Sequence, residues 1–133
     1  AAALKRANAA LFPDLTDERW LAFAHALYRE AGTRIVGDYD PAFPAAILAG
    51  AGTNPRNQAG AADLWKWFGA LAAIPTLVLR GENSELLSAE TVAAMARAKP
   101  DLAWVSVRNR GHVPFLDEPE SVTAIDAFLQ SID

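Results

Sequence analysis

Polar side chains that could perform acid–base chemistry follow two apolar runs in the second half of the sequence. His112 lies in "NRGHVPF", after the run "LAWVSV" (102–107), and Glu82 and Glu85 lie in "GENSELLS", after the run "TLVLR" (76–80). A carboxylate that binds an imidazole holds it in one tautomer, and the imidazole can then move the proton of a nucleophile. The two clusters predict the acid–histidine half of a nucleophile–histidine–acid relay.

The elements around these clusters predict how they meet. Both apolar runs have the length and composition of parallel strands buried on both faces. Ser88 can cap the intervening helix "AETVAAMARAK", which "KPD" ends, and "EPESVTAIDAFLQS" predicts a last helix. The inward face of that helix is predicted to carry Val122, Ile125, Phe128 and Leu129. The order predicts a right-handed βαβ unit with a terminal helix, in which both clusters follow carboxyl ends of neighbouring strands about 4.8 Å apart.

The first half of the chain predicts further elements. Thr16 can cap a helix that Gly32 closes, with Asp17 and Glu18 in its first turn. One face of this helix shares Trp20, Phe23, Ala24 and Leu27. "TRIVGDYDP" is a strand candidate, and "FPAAILAGAGTNPRNQAG" (43–60) is predicted to be a loop at a domain boundary. Residues 61–72 predict a helix before Pro75, with the apolar positions Leu64, Trp65, Phe68 and Leu71.

Composition limits the class of protein. A chain of 133 residues with 52% hydrophobic residues suits one globular domain. The net charge of −4 and the interspersed charges disfavour nucleic acid as a partner, and no segment is long enough to cross a membrane. The absence of cysteine excludes disulfides and thiolate metal sites but suits any compartment. We expect a cytoplasmic protein that acts on a small molecule.

The second half of the sequence resembles the C-terminal part of the α/β-hydrolase family. The motifs that carry the resemblance are "IPTLVLRGENSELLS" and "GHVPFLDEPE", and residues 14–41 resemble the family's helical cap more loosely. The resemblance implies an α/β fold with a helical cap segment followed by a parallel βαβα and an incomplete sheet. It implies a cap and connecting loop over residues 1–60, a core portion over 61–133, and His112 as the catalytic histidine.

The resemblance leaves the acid of the relay open. Many family members carry aspartate three residues after the glycine that ends the strand, and Ser84 stands there in this sequence. Glu85 is next to it, so we predict Glu85 as the acid. Glu82, Asp40 or no acid at all remain the alternatives.

Other parts of the family's machinery are not found in the sequence. No serine lies in the G-x-S-x-G nucleophile turn, and no "HGG"-like oxyanion segment occurs. We therefore expect the nucleophile and the first strands of the fold to lie upstream, and residues 1–133 to be inactive without that N-terminal portion as a partner. The open edges of the two strands require a partner sheet.

Several alternatives remain at this stage. A non-catalytic member of the fold could use the pocket for binding, and an aspartate nucleophile would imply an epoxide or haloalkane hydrolase. A dinucleotide site in "GAGTNPRNQAG" lacks the third glycine, and a metal site made by His25 and His112 lacks a supporting motif, so no cofactor is expected. The substrate contacts implied by the resemblance are Trp20, Trp65 and Trp67, which favour an apolar or aromatic substrate.

Overall fold

The computed structural model describes residues 1–38, 40, 42 and 61–132. The predicted loop over residues 43–60 lies outside the described residues. The described helices are α1 (Ala2–Asn8), α2 (Asp17–Leu27), α3 (Ala61–Gly69), α4 (Ala89–Ala98) and α5 (Pro119–Ile132). The described strands are β1 (Tyr28–Ala31), β2 (Arg34–Gly37), β3 (Leu77–Gly81) and β4 (Ala103–Val107). None of these helices is long and apolar enough to span a membrane.

The chain groups into two compact units. The first contains Ala1–Ala7 and Leu15–Lys66, and the second contains Asn8–Asp14 and Trp67–Asp133. The polar clusters predicted to perform chemistry belong to the second unit. The predicted assignment of residues 1–60 to a cap and of 61–133 to a core stays a prediction.

The first unit is built on α2 and a β-hairpin. The side chain of Thr16 accepts a hydrogen bond from the N–H of Arg19, which confirms the predicted N-cap. The helix ends at Leu27 and the chain continues directly into β1, which pairs antiparallel with β2. Gly32 lies in the hairpin turn at φ +64, a conformation that glycine adopts without strain. The prediction that Gly32 closes the helix was therefore wrong.

The second unit contains the predicted strand, helix, strand and helix. Strands β3 and β4 pair in parallel, with Leu77 opposite Ala103 and Gly81 opposite Val107. Helix α4 connects them, and the Ser88 side chain caps it by accepting from the N–H of Thr91 at 3.1 Å. Because the ends of β3 and β4 are in register, the loops that follow start side by side at one edge of the sheet.

Burial in the second unit differs from the prediction. Phe12, Val92, Leu102 and Val107 are buried, but β4 leaves Trp104 50% exposed, so the strand is not buried on both faces. On α5, Ile125 and Phe128 are partly buried, whereas Val122 and Leu129 are exposed. The predicted inward face of this helix was therefore right at Ile125 and Phe128 and wrong at Val122 and Leu129.

The segment before β3 also departs from the sequence pattern. Helix α3 ends at Gly69, and residues 70–74 continue as turns with backbone bonds between positions three apart. Glycine disfavours helix because it loses the most backbone freedom, so the helix stops well before Pro75. Lys99 is buried and its ammonium donates to the carbonyl of Ala72 at 3.1 Å and to Asp101 at 2.8 Å. This contact fixes the turn segment to the end of α4.

Candidate active site

The two loops at the carboxyl ends of β3 and β4 are bonded to each other. The N–H of Glu82 donates to the carbonyl of Val107 at 2.8 Å, and the N–H of Asn83 donates to the carbonyl of Arg110 at 2.8 Å. In the opposite direction, the N–H of Asn109 donates to the Glu82 carboxylate at 3.1 Å. These bonds extend the parallel ladder into the loops, so the residues that follow are held at a defined separation.

Glycines make the close approach of the two loops possible. A Cβ atom on Gly81 would collide with the carbonyl groups of Gly111 and Arg110. A Cβ atom on Gly111 would come within 3.0 Å of Leu11 and 3.1 Å of Phe12. Gly81 therefore lets the two loop backbones pack directly against each other, and Gly111 leaves room for the side chains of Leu11 and Phe12.

This packing places Ser84 against His112. The hydroxyl oxygen of Ser84 lies 3.1 Å from Nδ1 of His112, and it accepts a second bond from the N–H of Leu87 at 3.0 Å. Ser84 is partly buried, whereas His112 is exposed. Because Nδ1 is engaged by the hydroxyl, any proton exchange between His112 and a bound molecule would go through Nε2.

The candidate acids are placed differently from one another. Glu85 is exposed beside Ser84. Glu82 accepts the N–H of Asn109, and Asp40 accepts the N–H of Ala42 at 2.9 Å. The group in contact with Nδ1 of His112 is a hydroxyl, and the role of Glu85 as the acid stays a prediction.

Arg80 shapes the loop that carries Ser84. Its Nε donates to the carbonyl of Leu87 at 2.7 Å, and its Nη2 donates to the carbonyl of Glu82 at 3.0 Å. A third nitrogen lies 3.3 Å from the hydroxyl of Ser106 on β4. The guanidinium thus ties both ends of the loop to the sheet. The sequence pattern did not predict this role, since an arginine at the end of an apolar run gives no sign of its partners.

The loop that carries His112 is fixed by an ion-pair network. Arg110 donates to the Glu118 carboxylate at 2.7 Å and to the Asp14 carboxylate at 2.6 Å, and its guanidinium lies 5.8 Å from the ring centre of Phe115. Glu118 is 4% exposed and also accepts from the N–H of Phe115 at 3.0 Å and the hydroxyl of Ser121 at 2.9 Å. The residues on both sides of His112 are therefore held by one buried carboxylate.

The network changes the titration of its members. Burial alone would raise the pKa of Glu118, but the N–H of Phe115, the hydroxyl of Ser121 and the Arg110 guanidinium outweigh it and hold this pKa below its ordinary value. The pKa of Asp14 is also lowered, since Arg110 and Asn109 together outweigh the effect of burial. Glu118 therefore stays ionised through the neutral range and keeps the hydrogen bonds from its three donors.

The predicted substrate contacts are spread over the chain. Trp20 is 1% exposed and stacks on Phe23 with the ring centres 6.1 Å apart, so it belongs to the core of the first unit. Trp65 and Trp67 on α3 are 39% and 49% exposed. Contact of these three tryptophans with a substrate stays a prediction.

Metal binding has no support in the side chains that the structure describes. Within residues 1–38, 40, 42 and 61–132, no group of three or more histidine, aspartate or glutamate side chains could hold a metal ion. At the strand ends, the described side chains include an exposed imidazole with a hydroxyl at Nδ1.

Comparison with known proteins gives relatives among hydrolases. No protein-family model matches the chain. A 3-hydroxybutyrate-oligomer hydrolase of Cupriavidus necator is 36% identical over 90 residues, which are 68% of this chain and 30% of that protein. The crystal structure of an α/β hydrolase from Novosphingobium aromaticivorans superposes with a TM-score of 0.79 and 38% identity, over 97% of this chain and 44% of that one.

A second solved structure shares the fold. E-2-(acetamidomethylene)succinate hydrolase superposes with a TM-score of 0.63 and 23% identity, over 97% of this chain and 45% of that one. The chain therefore spans less than half the length of the proteins it matches.

Proposed function

Because the chain has the fold of the C-terminal portion of an α/β hydrolase, we propose that it supplies the histidine and the acid of a nucleophile–histidine–acid triad. The substrate is an ester or a similar acyl compound. His112 removes the proton from the nucleophile as a general base and then gives it to the leaving group as a general acid.

One observation carries the proposal. The imidazole of His112 is exposed at the carboxyl edge of a parallel sheet, while its Nδ1 is held by a side chain from the neighbouring strand-end loop. This arrangement orients the ring and leaves Nε2 for proton transfer. Structural histidines usually engage their nitrogens within the fold, whereas a general base needs one nitrogen directed to the reactants.

The rest of the triad is assigned by prediction. Glu85 is the predicted acid, and its carboxylate would stabilise the imidazolium formed during the reaction. The nucleophile and the oxyanion donors are proposed to lie in an N-terminal portion of the same fold that pairs with this one. Residues 1–133 alone are expected to be inactive, because the loss of oxyanion stabilisation by itself costs about 3–4 kcal/mol.

One relative supports an ester substrate. Oligomers of 3-hydroxybutyrate, which the Cupriavidus necator relative is named for, are joined by ester bonds. Trp67 is half exposed in the same unit as His112, and it is the predicted source of apolar contacts. These contacts favour an apolar or aromatic acyl group.

Substitution of the two histidines tests the proposal. In the full-length protein, His112→Ala should lower kcat for a chromogenic ester at least about 10³-fold, while His25→Ala, on the exposed face of α2, should leave it unchanged. Labelling by a fluorophosphonate should slow in parallel if the nucleophile is a serine. Ester turnover that survives His112→Ala would refute the proposal. A native protein with no turnover of esters, epoxides or haloalkanes would favour a binding module.

A further inference from the structure

We infer that the hydroxyl of Ser84, and not a carboxylate, is the group that positions His112 through Nδ1. The inference rests on the proposed function and deepens it, since it identifies the direct partner of the general base. Ser84 occupies the place of the family's acid in the sequence, and its oxygen lies 3.1 Å from Nδ1. Glu85, the next residue, would then influence the imidazolium by its charge alone.

The hydrogen-bonding capacity of a hydroxyl sets what Ser84 can do. A hydroxyl has one proton and two acceptor positions, and the N–H of Leu87 occupies one of the acceptor positions at 3.0 Å. One proton and one acceptor position remain for the ring. Ser84 can therefore donate to an unprotonated Nδ1 or accept from Nδ1–H, and the contact persists whichever tautomer His112 adopts.

The loop geometry makes this contact a fixed one. The N–H of Ser84 donates to the carbonyl of Gly81 at 3.0 Å, and the N–H of the preceding residue, Asn83, bonds to the carbonyl of Arg110 in the histidine loop. Arg80 holds the carbonyl of Leu87, whose N–H in turn binds the Ser84 hydroxyl. The serine oxygen is thus located by backbone bonds on both sides of the residue.

A hydroxyl and a carboxylate at this place have different chemical consequences. A carboxylate only accepts hydrogen bonds, so it would force the tautomer that carries hydrogen on Nδ1 and leaves Nε2 able to take a proton. The Ser84 hydroxyl permits both tautomers. Neutral His112 is therefore expected as a mixture of tautomers in the absence of substrate. When Nε2 takes the proton of the nucleophile, Nδ1–H continues to donate to Ser84.

Nitrogen NMR of the histidine rings tests the inference without turnover. In full-length protein labelled with ¹⁵N-histidine, the His112 signals are assigned by their loss in His112→Ala. The native ring, at a pH where it is neutral, should show averaged signals of both tautomers. Ser84→Asp should shift them to the Nδ1–H tautomer, and Glu85→Gln should leave them in place. An unchanged tautomer in Ser84→Asp, or a change in Glu85→Gln as large as that in Ser84→Ala, overturns the inference.

Matched variants separate positioning from a general effect on folding. Ser84→Ala should move the His112 signals and lower kcat about tenfold, the loss expected for one hydrogen bond, while Ser84→Thr should restore both because it keeps the hydroxyl. The control is Ser88→Ala, which also removes a hydroxyl that accepts a backbone N–H. It should leave the His112 signals unchanged. If Ser84→Ala does not fold, the native and Ser84→Asp spectra decide the question. The spectra need no substrate, so the inference can fail while the proposed function stands, and the reverse.

Discussion

Removal of the Glu118 carboxylate should destabilise the protein and release the loop that carries His112. Glu118 is 4% exposed, and its carboxylate accepts from the Arg110 guanidinium at 2.7 Å, the N–H of Phe115 at 3.0 Å and the hydroxyl of Ser121 at 2.9 Å. In Glu118→Ala, all three donors lose this partner. The loss of one member of a buried ion pair costs about 3–5 kcal/mol. Because Arg110 keeps Asp14 at 2.6 Å, we expect about 3 kcal/mol.

The assay is urea unfolding of the full-length protein at neutral pH. Asp126→Ala is a matched control, since it removes an exposed carboxylate from α5, the helix that follows Glu118, and should leave the free energy of unfolding unchanged. The Glu118→Gln variant retains the shape and an acceptor oxygen, so its loss should be smaller than that of Glu118→Ala. A free energy of unfolding for Glu118→Ala within about 0.5 kcal/mol of the native value would refute the role assigned to the network.

The pH dependence of Glu118 provides a second test. Burial raises the pKa of Glu118, but its donors outweigh burial and the net pKa lies below the ordinary value of 4.5. A folded-state pKa below the unfolded one means that the contribution is complete above the unfolded value and is lost as pH falls through the folded value. The stability difference between the native protein and Glu118→Gln should therefore shrink on acidification. A difference that does not change between neutral and strongly acidic pH would contradict the assignment.

Three other substitutions follow from the packing. Gly81→Ala should lower the melting temperature and kcat together because its Cβ meets the opposite loop. Gly69→Ala is the control and should lower neither, since no atom lies within 4 Å of the added Cβ. Equal melting temperatures for the two variants would contradict the close packing. Trp20→Ala should lower the free energy of unfolding in urea by about 3–5 kcal/mol because it empties a buried site. Leu21→Ala, at the next position and 51% exposed, should lower it far less. Equal losses would place Trp20 outside the core. Trp67→Ala should raise KM for an aromatic ester more than for an acetate ester without changing stability, and an unchanged KM ratio would remove Trp67 from the substrate contacts.

The sequence predicted the elements that have strong local signals. Thr16 and Ser88 cap their helices because a side-chain oxygen beside an acidic first turn is a local pattern. The strands β3 and β4 are marked by continuous apolar runs, and their parallel pairing follows from the helix between them. Gly32 was misassigned because a glycine after a helix can close either the helix or a hairpin, and only the pairing of β1 with β2 decides between them.

The candidate site was predictable in position but not in its contacts. That His112 and the "GENSELLS" loop follow neighbouring strands could be inferred from element order. The contact of Ser84 with Nδ1 depends on the conformation of a loop that Arg80 holds, and no local pattern encodes it. The sequence places Glu118 only at the start of the last predicted helix. Its partners Arg110 and Asp14 could not be found, because Asp14 is separated from Arg110 by 96 positions in the chain.

The contact of the Gly81 and Gly111 backbones has a consequence for protein engineering. Where two side chains meet, a larger one can be accommodated by a smaller neighbour, but here no side chain exists on either partner to be reduced. A mutant library that diversifies position 81 would therefore consist largely of destabilised clones, whatever the substrate sought. Variation aimed at new substrates belongs on exposed positions such as Trp67, where the scaffold of the relay is left intact.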